Sequence, residues 1–115
     1  MEELVARIAE STGIDPKVAR NAAIIIIKFL MKEAPADKVN GLVDALPGAR
    51  EAVAASSLGG SGGVMGVFSD LTAADLGMGD IQGVARAFGE FAREKAGAQA
   101  VNDVVSSVPG LSQFV

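Results

Sequence analysis

KFLMKEAPADKVNGLVDALPG, residues 28–48, and EFAREKAGAQAVNDVVSSVPG, residues 90–110, are two versions of one segment at a constant offset of 62. Phe29/Phe91, Ala34/Ala96, Ala36/Ala98, Val39/Val101, Asn40/Asn102, Val43/Val105, Pro47/Pro109 and Gly48/Gly110 are identical. An internal repeat fixes the building block of a fold. Within each version, valines and leucines fall at i, i+3, i+4 and i+7: Val39, Leu42, Val43 and Leu46, then Val101, Val104, Val105 and Val108. That spacing makes one apolar stripe on a helix. The helix is expected from Ala36 to Leu46 in the first version, and Pro-Gly closes it in both.

Working outward, Leu4, Val5 and Ile8 recur at helical spacing from Glu2 to Ser11, and Gly13 suits the left-handed stop. Asp15-Pro16 opens a second helix. Asp is a good N-cap, and Pro at the first helical position loses only an N–H that would be unpaired there. Pro35 ends that helix after Ala34. A short helix, Ala49–Ala55, follows the first Pro-Gly.

Ile24-Ile25-Ile26-Ile27 has strand propensity. Its flanks carry helix signals, its segment is long, and its offset partner Arg86-Ala87-Phe88-Gly89 has no strand character. The run is therefore read as helix. Four consecutive apolar residues point all the way round such a helix, so it must be covered on nearly every side.

Ser56–Gly63, centred on Gly59-Gly60-Ser61-Gly62-Gly63, has the composition of a flexible linker. Val64, Val67, Phe68 and Leu71 then echo the first helix, and Asp70–Asp75 is locally ambiguous. The longest helix of the second half is expected from Asp80 to Ala96, with Gly97 as its stop. The expected domain plan is a single helical unit over 1–115. Repeat one covers residues 1–55, the linker 56–63, and repeat two 64–115.

A chain of 115 residues can bury roughly two-thirds of the surface it exposes when unfolded. Half of its residues are hydrophobic, but the only aromatics are five Phe, so small and branched aliphatics must fill the core. The net charge is −4, with no cluster of Lys and Arg. Such clusters are what displace counterions from phosphates, so no nucleic-acid partner is expected. The longest apolar run, Ala22–Met31, is far shorter than the roughly 18–20 residues that span a bilayer, so no membrane partner is expected either. The acidic start Met1-Glu2-Glu3 does not resemble a secretory leader. The chain reads as a soluble cytoplasmic protein. It contains no Cys and no His, which removes thiolate chemistry, the commonest zinc ligand and the commonest proton shuttle at neutral pH.

The remaining motifs carry little chemistry. The Gly59–Gly66 stretch lacks the Lys and the preceding strand of a phosphate-binding loop. Gly77-x-Gly79-x-x-x-Gly83 has the wrong spacing for a dinucleotide fingerprint and no βαβ surroundings. Gly83 and Gly89 each cost a helix about 1 kcal/mol relative to Ala, which points to close packing against another helix. Asp70, Asp75 and Asp80 read as turn or cap residues, and Glu90 and Glu94 as a solvated face beside Arg86, Arg93 and Lys95. No carboxylate spacing matches a calcium loop. Asn40 and Asn102, repeat-equivalent polar residues beside the stripes, read as bonding a neighbouring helix or its terminus. No catalytic, cofactor-binding or metal-ligating residue is assigned, and no cofactor is expected.

The order of helix, Gly13-Ile14-Asp15 turn, alanine-rich helix, Val39-to-Gly48 segment, Gly-rich linker, Leu76-Gly77-Met78-Gly79-Asp80 and closing helix pair resembles small bacterial proteins of the uncharacterised VcgC/VcgE type. That resemblance implies an all-helical domain and no functional residues. Ile8-Ala9-Glu10 and Gly13-Ile14-Asp15 also resemble the opening hairpin of HU-like DNA-binding proteins, but the basic β-arms of that family have no counterpart here.

The expected fold is all-α, a bundle of six to eight helices built from two tandem, pseudo-twofold related repeats. The expected function is a non-catalytic binding or structural module acting through protein–protein contacts and self-association. The alternative is a small-ligand carrier or enzyme using Asp and Glu, or an apolar pocket among Phe68, Phe88 and Phe91, between the repeats. A homodimer is expected, with Ile24, Ile25, Ile26 and Ile27 at or near its interface. A small bundle leaves one face of that run without cover, and exposed apolar patches mark interfaces.

Overall fold

The computed structural model describes residues 1–56 and 63–108; the linker Ser57–Gly62 and residues 109–115 lie outside it. The described residues form seven helices and no strand: α1 (Glu2–Thr12), α2 (Pro16–Glu33), α3 (Ala36–Asp44), α4 (Ala49–Ala54), α5 (Gly63–Ala73), α6 (Met78–Ala96) and α7 (Ala98–Ser107). The all-helical expectation holds.

The helix ends follow the local chemistry. Gly13 stops α1 at φ 77°, and its N–H donates to the Ala9 carbonyl. Asp15 caps α2, its carboxylate accepting the Lys17 N–H at 2.8 Å, with Pro16 in the first turn. α3 is shorter than the periodicity predicts. It ends at Asp44, and a turn in which the Leu46 N–H donates to the Val43 carbonyl carries Leu46 into the core. α6 begins two residues before the expected Asp80. Asp80 lies in its first turn and reaches back, its Oδ2 accepting the Gly77 N–H at 3.4 Å. Asp75 carries the positive φ, 72°, that the turn between α5 and α6 requires.

The long helices α2 and α6 form the centre. α1 packs along α6 and also against α2, and α5 packs on α2. α3 and α7 pack on each other, α3 also on both long helices and α7 on α6, while α4 covers α2 and α3. The buried apolar residues form one cluster that draws on every helix with described side chains. No polar or charged residue is buried among the described residues. Apolar burial at about 25 cal/mol per Å2 therefore supplies the driving force with no buried charge to offset.

This packing bears on the expectation that the isoleucine run outgrows its own bundle. Ile24, Ile25 and Ile27 are only 5%, 1% and 1% exposed within a single chain. α1, α3, α4, α5 and α6 all touch α2 and bury most of its apolar side chains within one chain. Ile26 alone stays half-buried.

The expectation of close approach at Gly83 is met. A Cβ there would stand 2.8 Å from Thr12 Cγ2 at the end of α1. Thr12 is held in place, because its hydroxyl donates to the Ile8 carbonyl at 2.7 Å. By contrast, a Cβ at the exposed Gly41 in α3 meets nothing within 4 Å. Thermal denaturation should therefore separate the two glycines. Gly41→Ala should stabilise by about 0.5–1 kcal/mol through helix propensity. Gly83→Ala should destabilise, and should become stabilising in a Thr12→Ser background, which lacks the clashing methyl. A stabilising Gly83→Ala in the unmodified chain would contradict the tight α1–α6 contact.

Candidate functional site

Two concave regions matter, and they differ in chemistry. The first is a cleft where α2, α3, α6 and α7 meet. Its volume is about 60 Å3 and its wall is apolar throughout: Ile26, Leu30, Leu42, Ala85, Phe88, Gly89, Ala92, Val101, Val104 and Val105. At the offset of 62, Ile26 corresponds to Phe88, Leu30 to Ala92 and Leu42 to Val104. Three equivalent pairs thus face one another across the cleft, which lies on the seam between the two halves of the chain.

The space has a local cause in the sequence. Gly89 stands where the first half has Ile27, and Ala92 where it has Leu30. Both replacements remove side-chain atoms from the seam, and a close-packed interior does not refill such space without moving backbone. Leu30, Leu42, Phe88, Gly89, Ala92, Val101 and Val104 form the buried interior, whereas the half-buried Ile26, Ala85 and Val105 form the rim.

The second region is a pair of charged grooves beside α1, which share Glu3, Phe91 and Lys95 in their walls. Phe91 is buried, with the Arg7 guanidinium 5.6 Å and the Lys95 ammonium 5.5 Å from its ring centre. Arg7 Nη1 donates to Glu94 Oε2 at 2.5 Å, and Lys95 Nζ lies 3.2 Å from Glu3 Oε2. The Met1 amino group donates to the Pro47 carbonyl at the edge of the same region. Each of these cations meets both a carboxylate and the negative face of a ring. The arrangement ties α1 to α6. Because the pairs are solvent-exposed, their net contribution is small.

The hydrogen bond from Arg7 holds the Glu94 carboxyl below its ordinary pKa, against the opposing effect of desolvation. The same bond raises the Arg7 guanidinium further above its ordinary value.

The repeated asparagines take no part in the cleft. Asn40 is exposed on α3, and its Oδ1 accepts from Arg50 Nη2 at 3.1 Å while Arg50 Nε donates to Asp44 Oδ1 at 3.0 Å. Asn40 thus bonds a neighbouring helix, α4, as expected, but at the surface. Asn102 is exposed on α7, and position 112, equivalent to Arg50, is Ser, outside the described residues. Of the four isoleucines, only Ile26 reaches the cleft. Of the three phenylalanines expected to line a pocket together, Phe88 lines the cleft, Phe91 faces the charged grooves, and Phe68 sits half-buried on α5. Among the described residues no three carboxylates gather where they could hold a metal ion. No helix there is long and apolar enough to cross a membrane. The valines of α7 were recognised from the sequence only as core. Their part in the cleft could have been found by setting Gly89 and Ala92 against Ile27 and Leu30.

No protein-family model, curated protein or solved structure matches this chain.

The Arg7–Glu94 pair makes a prediction about pH. Its carboxyl has a lower pKa folded than unfolded, so the pair contributes at neutral pH and that contribution fades as pH falls through the folded-state value. An NMR titration of the Glu94 carboxyl carbon should show its midpoint rise in Arg7→Met. An unchanged midpoint would show that the guanidinium does not hold this carboxylate in solution.

Proposed function

We propose that the protein is a non-catalytic binding or structural module of the bacterial cytoplasm, duplicated from one helical unit, that acts through protein contacts and associates with itself. The duplication is supported by helix lengths. α1, α2 and α3 have 11, 18 and 9 residues, and α5, α6 and α7 have 11, 19 and 10. It is supported too by a reciprocal exchange in which α1 lies on α6 and α5 lies on α2. The carboxylates give no support to an acid–base enzyme, because they lie on exposed faces and in turns rather than in the cleft.

One observation carries the self-association. α5 has a single charged residue, Asp70, in its eleven residues, yet among its described side chains only Leu71 is buried. Met65 is 79% exposed, and Val67 and Phe68 are half-buried. Met78, at the start of α6, is 64% exposed. A helix this apolar is ordinarily buried on most sides, and an exposed apolar face is the usual mark of an interface. Methionine suits such a face because its flexible side chain adapts to a partner. A second copy of the chain brings the same uncharged face and can bury α5 against α5 across a twofold axis. Our reading prefers α5 as the interface, since Ile24, Ile25 and Ile27 are buried within their own chain and Ile26 is half-buried.

Light scattering coupled to size exclusion should give the mass of two chains at micromolar concentration. Met65→Glu should shift it to one chain without lowering the thermal midpoint measured on the monomer. A single-chain mass across the accessible concentration range would refute self-association, and a dimer unaffected by Met65→Glu would place it elsewhere.

A further inference from the structure

We propose that the cleft between α2, α3, α6 and α7 is a binding site for the end of a straight alkyl chain. This goes beyond self-association and does not depend on it. Four features of the cleft lead to the assignment.

The wall offers a ligand no polar partner. Water needs two to four such partners to be held firmly, and this wall supplies none. Its lining atoms then lack neighbours on one side and forfeit dispersion contacts. An apolar guest restores those contacts and displaces no bound water.

The volume selects among apolar guests. An engineered cavity of about 150 Å3 is known to admit benzene. This cleft, at about 60 Å3, has well under half that room. On the same measure one water needs roughly 10–15 Å3, so the space suits a few carbons in a row better than a ring.

The rim sets how the guest enters. Ile26, Ala85 and Val105 are half-buried, whereas Leu30, Gly89 and Ala92 belong to the buried floor. A chain can therefore insert its methyl end and leave the rest outside. The cleft offers nothing to a head group, so selectivity rests on the width of the tail.

Finally, two positions on α6 at the cleft carry smaller residues than those 62 positions earlier, Gly89 against Ile27 and Ala92 against Leu30. Returning the first half's residue should therefore close it.

The test uses the intact chain, 1-hexanol and benzene. Titration followed by methyl NMR should show saturable shifts at Ile26, Leu42, Val101, Val104 and Val105 with 1-hexanol. Benzene should bind at least tenfold more weakly. In Ala92→Leu the affinity for 1-hexanol should fall at least tenfold while the unliganded thermal midpoint rises, because the added side chain fills the space. Should Ala92→Leu fail to fold, xenon provides the second measurement: a saturable xenon-induced shift at the same methyls, abolished by excess 1-hexanol. Absence of saturable shifts up to the solubility of 1-hexanol would overturn the proposal. So would benzene binding as tightly as 1-hexanol, hexanol binding unaffected in a folded Ala92→Leu, or xenon shifts that hexanol leaves in place.

Discussion

The structure depends on covering α2. A helix that carries Ile24, Ile25, Ile26 and Ile27 in succession turns apolar side chains in nearly every direction, so its surroundings must supply apolar contact on most sides. One antiparallel partner cannot do that. The chain meets the requirement by bringing α5, from the other side of the linker, onto α2, and by placing α4, α3 and α1 on the remaining sides. α1 in turn lies on α6, so each half lends its first helix to the long helix of the other. The core is therefore shared between the halves and made of apolar groups, mostly aliphatic, without a buried charge. A core of this kind tolerates no polar intrusion but asks little of any one contact.

That constraint explains where polar chemistry is found. Charged side chains are confined to the surface, where they tie helices together: Arg7 to Glu94 and Lys95 to Glu3 across α1 and α6, Arg50 to Asp44 and Asn40 across α4 and α3. Among the described residues, the apolar groups left partly uncovered are few. The exposed side of α5 and the seam cleft are two such features, one a convex face and the other a narrow recess. They make different demands on a ligand: the first suits a broad partner, the second a thin one.

Much of the fold was legible because its signals are local. Gly13, Asp15-Pro16, Pro35 and Gly97 act through their own backbone conformation or their nearest N–H groups, so their effect can be read without tertiary knowledge. The ends of α3 and α6 were misread by two residues for the complementary reason. Leu46 continues a helical period but is drawn into the core by a turn, and Asp80 acts from inside the first turn instead of before it. Cover for the isoleucines was not legible either, since it comes from helices far apart in sequence. The cleft lies between these cases. Its cause, Gly89 and Ala92 against Ile27 and Leu30, stood in the repeat alignment, but only the meeting of α2 with α6 and of α3 with α7 shows that the lost volumes fall in one place.

The central claim is that the two halves share one core and are not two units joined by a linker. Native-state hydrogen exchange tests it most directly, because it resolves the opening free energy of each segment. The slowest amides of α2 and α6 should exchange with one common free energy, equal to that of global unfolding, and should respond alike to denaturant. Persistent protection in α2 while α6 exchanges through a lower-energy opening, or the reverse, would show that one half holds its core without the other.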